Sequence, residues 1–267
     1  MEMVNPTPKP EITEEENNSV PEPQPEDFTL LNQAAPKQNK QRERQPAQDE
    51  SFIKLESNLY EVVISNKNGG SITSFRLFEY LTHDSLYVNL INELNQNNLL
   101  VNFKTNSGSD IDLARPWSIK QKPPVQIISE PTTLVFSINT EVGSIEKSLT
   151  FYPDTYLIQV DINTKNVSSE MFAGQYFFSW KGGLPLTEKN KTDDLMYTNA
   201  FLFQGGELEK VKADGSNFLE SDYNGLTDWV STRTKYFTAS FVPTEDTKPK
   251  STIIGSGLVE DQEIYDL

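Results

Sequence analysis

The chain has 267 residues, with 39 acidic against 23 basic side chains, a net charge of −16, one histidine and no cysteine. That balance excludes a nucleic-acid backbone or an anionic membrane surface as a partner of the chain as a whole, since either needs clustered Lys and Arg. The missing cysteines exclude a disulfide framework, a thiolate metal site and a cysteine nucleophile. No run reaches the ~18 apolar residues that read as a membrane-spanning helix, and no basic-then-apolar start reads as a signal peptide.

Residues 1–50 carry eight of the 16 prolines, in runs such as PTPKPE and VPEPQPED, and end in the polar stretch Lys37 to Glu50. Such a segment cannot bury enough apolar surface to offset about 1 to 2 kcal/mol of backbone entropy per residue, so it reads as a disordered tether. Phe28, Leu30 and Leu31 are the apolar exceptions within it. Residues 51–267 read as the folded domain, with a single core.

From Phe52 the pattern becomes short, alternating and rich in β-branched and aromatic residues. Leu55 to Ser65 predicts one strand, NKNGG at Asn66 to Gly70 a tight turn of residues tolerant of positive φ, and Ile72 to Phe78 the returning strand. Leu86 to Leu90 and Leu99 to Phe103 predict two further strands. Leu134 to Asn139 and Tyr156 to Asn163 alternate cleanly, and YPDT before the second supplies a turn with Pro153 at its first corner.

MFAGQYFFSW, Met171 to Trp180, is apolar on both faces and predicts a strand buried on both sides. Thr187 to Asp194 and Ala213 to Asn224 read as loops, and Leu195 to Lys212 as a hairpin around Gly205 and Gly206. Trp229 to Pro243, WVSTRTKYFTASFVP, predicts one central strand, with Phe237, Ala239 and Phe241 on one face and Pro243 ending it. A last strand is expected at Ser251 to Ile254, followed by a strandless acidic end. No long helical period occurs, so the class is mainly β.

The chemistry legible in the chain is sparse. Asp110 with Asp112, Asp193 with Asp194, and Glu141 are the carboxylates to weigh for acid-base work, and a histidine-based metal site or triad would rest on His83 alone. No catalytic, cofactor or metal site is predicted. Trp117, Trp180 and Trp229 are the candidates for an aromatic cleft, because indoles hold sugars or peptides by stacking, although each could serve as core instead.

Three segments in order resemble the large periplasmic domain of the YidC membrane protein insertase family, over roughly residues 52 to 260. They are YEVVISNKNGGSITSFRLFEY (Tyr60 to Tyr80), SIEKSLTFYPDTYLIQVDINTKNVS (Ser144 to Ser168) and the W-x-x-x-x-x-K-Y-F stretch from Trp229. The resemblance implies an antiparallel β-supersandwich of the galactose-mutarotase type on the periplasmic side of the bacterial inner membrane. It further implies a transmembrane helix before residue 1, an insertase core beyond this chain, and a domain that stops a strand or two early at Leu267. Partners implied are Sec translocase components and nascent membrane proteins, bound by a chaperone-like scaffold; the membrane is reached only through helices absent here. The fold relationship also motivates a rival reading, a periplasmic carbohydrate-binding or aldose-epimerase-like domain. Its histidines and glutamate would have to come from a chain holding only His83.

Overall fold

The computed structural model describes residues 48–93, 97–120, 125–167, 169–213, 218–244, 249–259 and 262–267. Apart from 48–50, the expected tether lies outside the described residues, and so do Phe28, Leu30 and Leu31. Glu50 already belongs to the folded part: it pairs with Lys67 at 2.7 Å and accepts from Ser65 Oγ at 2.7 Å.

The fold is mainly β and almost wholly antiparallel, as the alternation predicts. Strands β1 (Phe52–Glu56), β2 (Tyr60–Ser65), β3 (Ser71–Leu81) and β4 (Tyr87–Asn89) form a meander. Strand β5 (Leu100–Asn102) lies outside that sheet. After β6 (Ser118–Ile119), β7 (Val125–Ile127) returns to close the meander, pairing with β1 in parallel. Strands β8 (Thr132–Asn139), β9 (Ser144–Phe151) and β10 (Ile158–Lys165) follow as a second meander, with β6 beside β8.

Period-two patterning explains how these sheets meet. Leu55, Val62, Ile64, Ile72 and Phe75 point inward from the first sheet, and Leu134, Phe136, Ile145, Leu149 and Phe151 from the second; all belong to one buried cluster. Polar residues alternate outward, the arrangement of a face-to-face sandwich. The predicted strand over Leu55 to Ser65 is in fact two. Ser57 Oγ accepts from the amides of Leu59 and Tyr60, at 3.1 and 3.2 Å, and so turns the chain between β1 and β2.

The NKNGG turn places Asn68, Gly69 and Gly70 at φ of 54°, 68° and 101°. Two of these positions exclude a side chain outright. A Cβ on Gly69 would sit 2.6 Å from the Trp117 ring, and one on Gly70 2.7 Å from Phe136.

The rest of the chain builds a second, smaller layer. Residues 171–180 are not a doubly buried strand: Ala173 and Gly174 take positive φ, Phe172 and Phe177 are exposed, and the ladder within the run is limited to β11 (Phe177–Ser179) against β5, with single bridges at Met171 and Trp180. The left-handed pair breaks the run before a ladder can propagate. A short helix, α1 (Lys191–Tyr197), capped by Asn190, takes the second half of the loop expected over Thr187 to Asp194 and the first residues of the hairpin expected from Leu195. At seven residues it is too short to show a helical period.

Strands β12 (Asn199–Gln204) and β13 (Glu207–Val211) form the expected hairpin, with Gly205 and Gly206 at φ of 60° and 84°. Strand β14 (Leu219–Tyr223) occupies the expected loop over 213 to 224. The Trp229 to Pro243 stretch is itself a hairpin, β15 (Thr227–Arg233) and β16 (Thr238–Phe241), in a sheet ordered β13-β12-β15-β16. Strand β15 is therefore central and β16 an edge. Finally β17 (Ser251–Val259) pairs with β18 (Gln262–Asp266), which corrects the strandless end. Tyr265 there is fully buried, and residue types alone hide it among four acidic residues, Glu260, Asp261, Glu263 and Asp266.

Ala200, Leu202, Val230, Ile253 and Tyr265 make a second buried cluster. Phe241 packs against both clusters, so the expected single core is two cores sharing one ring.

Candidate functional site

The hairpin turn between β15 and β16 lies between two surface depressions. Thr234 N–H donates to Phe237 O at 2.9 Å, leaving Lys235 and Tyr236 at the corners. Asp194 of α1, fully buried, holds this turn in place. Its Oδ1 accepts from Lys235 N–H at 2.9 Å, while its Oδ2 accepts from Thr187 and Glu188 N–H at 2.8 and 3.3 Å. Three amide donors satisfy a carboxylate that burial would otherwise penalise. Asp193 beside it accepts from the Lys235 ammonium at 2.5 Å and holds that group's pKa well above its ordinary value. The Asp193 and Asp194 pair thus joins α1 to the turn.

Two depressions flank the turn and share Tyr236 and Phe237. One, about 620 Å³, runs over the outer face of the sheet past Phe201, Leu208, Trp229, Arg233 and Val242. The other, about 530 Å³, is bordered by Glu79, Tyr80, His83 and Glu188. Phe237 meets Tyr80 edge-on at 5.6 Å between centroids, and Phe203 stacks on Trp229 at 5.9 Å.

The three tryptophans do not converge. Trp229 lines the first groove. Trp180, half-buried, donates to Gly183 O at 3.0 Å and lies edge-on to Phe241. Trp117 is fully buried, donating to Leu113 O at 3.0 Å. Beneath it lies a residue that sequence reasoning passed over, Lys147, with no exposed surface. Its ammonium donates to Asn68 O at 2.8 Å and Leu99 O at 2.6 Å, with the Trp117 ring 5.9 Å away. Burial pushes its pKa down to about 7. It lies in the Ser144 to Ser168 segment, at an inward position of β9 between Ile145 and Leu149 where alternation alone expects an apolar side chain.

The remaining candidates are scattered. His83 pairs with Asp84 at 3.0 Å on an exposed turn. Asp110, Asp112 and Glu141 are exposed, and Asp112 accepts from Ala114 N–H at 3.1 Å. Among the described residues no group of three or more His, Asp or Glu is placed to hold a metal ion. The groove aromatic Phe201, and Phe203 which stacks on Trp229 beside it, were missed, although alternation along 199 to 204 would have put both on one face.

The described residues thus form a β-sandwich domain that presents aromatic side chains on an open sheet face. Residues 52–261 match the YidC periplasmic domain family, and the chain belongs to that family. It is similar to the "Membrane protein insertase YidC" of Chlorobium luteolum, 29% identical over 204 residues. The alignment covers 74% of this chain and 34% of that protein. The protein of the same name from Prosthecochloris aestuarii is 28% identical over 206 residues, 75% of this chain and 35% of the relative. The chain thus spans about a third of the length of the curated relatives it matches. No solved structure matches it.

Proposed function

We propose that the chain is the extracytoplasmic domain of a membrane protein insertase, held at the periplasmic side of the bacterial inner membrane. In this reading it is a chaperone-like scaffold for Sec translocase components and nascent membrane proteins, rather than the device that inserts them, and not an enzyme. Its residues 51–267 act as the folded scaffold and 1–50 as a tether. The observation that carries the reading is the family match across nearly all of the folded part. The geometry agrees with it, because open aromatic grooves suit segments of other proteins, which bury area over a surface.

The test is made in the full-length insertase. Removing residues 52–267 should abolish co-purification of Sec-type translocase components, while removing 1–50 alone should leave it. Loss on removing only 1–50 would overturn the scaffold role of the sandwich.

A further inference from the structure

The outer face of the four-stranded sheet is graded along its strands. Register places Leu208 opposite Phe203 and Phe203 opposite Trp229, with Val242 just past β16 lining the same groove, so this row is wholly apolar. The next row is Lys210, Phe201, Ser231 and Ser240, and the last is Asn199, Arg233 and Thr238. From Trp229 to Arg233 is four residues of strand, about 13 Å at ~3.3 Å per residue.

Charge along this path is one-sided. The chain has 39 carboxylate side chains against 23 cationic ones, yet among the described residues the charged ones bordering the groove are Arg233 and Lys235. Lys210 adds a third cation to the face, exposed and opposite Phe201. Lys235 is engaged by Asp193. Arg233 and Lys210 have no carboxylate partner among the described residues, and the Arg233 guanidinium donates only to Thr234 O, at 3.3 Å. A guanidinium fork fits a carboxylate with two parallel hydrogen bonds.

We infer that this face is a docking groove for an extended acidic segment of a partner protein, with an apolar side chain four residues from a carboxylate. In an extended ligand, residues i, i+2 and i+4 share a face, and the span from i to i+4 equals the span from the Trp229 row to the Arg233 row. The apolar side chain seats against Leu208, Trp229 and Val242, the carboxylate meets Arg233, and the hydroxyls of Ser231 and Ser240 face the polar middle. A flat bilayer surface fits a concave groove less well than such a segment. The inference rests on the scaffold reading and gives it a place and a ligand chemistry.

The test uses the 267-residue chain and a fluorescein-labelled peptide with phenylalanine at its third position and aspartate at its seventh, followed by anisotropy at low salt. Saturable binding is expected. Replacing the aspartate with asparagine should weaken it about threefold, and Arg233→Glu about tenfold, since an exposed ion pair gives up to ~1 kcal/mol and reversal adds repulsion. A peptide with lysine in place of aspartate should prefer the Arg233→Glu chain. Equal binding of the aspartate and asparagine peptides, or no saturable binding, would overturn the inference; neither comparison depends on a substituted protein folding. Flotation with phosphatidylglycerol vesicles but not phosphatidylcholine, lost in Arg233→Glu without peptide binding, would replace the peptide by a lipid surface. All these readouts concern the groove alone, whereas failure of the scaffold reading appears as translocase co-purification that persists without residues 52–267.

Discussion

The two apolar clusters of the molecule are held by different means. In the first, β1 to β3 and β8 to β10 meet through alternating aliphatic and aromatic side chains, with one buried cation, Lys147, sealed beneath Trp117. The second cluster is smaller, and among the described residues buried polar ones such as Asp194, Thr198, Asn199, Thr227, Thr232 and Thr234 match its apolar members in number, whereas the buried polar residues of the first region, Asn66, Asn68 and Asn98 among them, are well outnumbered by its apolar core. There, geometry is set by hydrogen bonds donated to a single carboxylate, Asp194, as much as by packing. The first region thus resists change through volume, and the second through satisfaction of polar groups, so each should fail to a different substitution.

The sharpest break is expected in the first region. Gly70→Ala forces an alanine into φ of 101° with its Cβ 2.7 Å from Phe136 and 2.8 Å from Leu149, and should cost about 3 to 5 kcal/mol in urea unfolding. A loss below about 1 kcal/mol would mean that the sandwich repacks freely there.

Lys147 supplies the next test. Because burial lowers its folded pKa to about 7 from an unfolded value near 10.5, the unfolded chain binds the extra proton between those limits. The penalty is full below pH 7 and is relieved as pH rises toward 10. Stability should therefore climb by about 1 kcal/mol per pH unit between roughly pH 8 and 10. Lys147→Met should flatten that rise. Above about pH 10 the trend should turn, since burial raises the pKa of Tyr60 and Tyr265 to about 12, and their contribution is lost as pH rises through that value.

In the second region, Asp194→Ala should cost about 2 kcal/mol, because it strips the acceptor from three amides. Hydrogen exchange should quicken at Thr187, Glu188 and Lys235 while β8 and β9 stay protected; equal quickening everywhere would dissolve the distinction between the regions. The smallest effect is expected from Trp229→Ala. Losing its stack on Phe203 should lower stability by about 1 kcal/mol by thermal unfolding and leave the first cluster intact.

Legibility in the sequence followed the same division. Alternation in 134 to 139 and 156 to 163 announced the sandwich, and NKNGG and Gly205-Gly206 announced their turns, because one buried face and positive φ leave compositional marks. The second region hid its structure. Phe237, Ala239 and Phe241 alternate as expected, but nothing in WVSTRTKYFTASFVP shows the turn at Thr234 to Phe237, which depends on a carboxylate some 40 residues earlier in the chain. The Asp193 and Asp194 pair looked like candidate acid-base chemistry and proves to join a helix to that turn. Of the cleft candidates, only Trp229 borders the groove; Trp117 looked the same in sequence, and its burial depends on Gly69 leaving room for the ring.

The pairing of β18 and Leu267 with residues far earlier in the chain sets the order in which the parts can form. Trp180 and Leu267 exchange both of their backbone hydrogen bonds, at 3.0 and 2.8 Å, and Ala213 N–H donates to the Tyr265 hydroxyl at 2.7 Å. The strands of the first sandwich all lie within residues 52–165, so they can zip together while later residues are still emerging from the ribosome. The second layer has to wait for β18, since Trp180 and Ala213 close only against Leu267 and Tyr265, about 100 residues after the first sandwich ends. Synthesis from the N-terminus therefore gives a finished sandwich trailing an unclosed sheet, and that interval, with Trp180 and Ala213 awaiting their partners, is when the chain is most open to aggregation or to a protease.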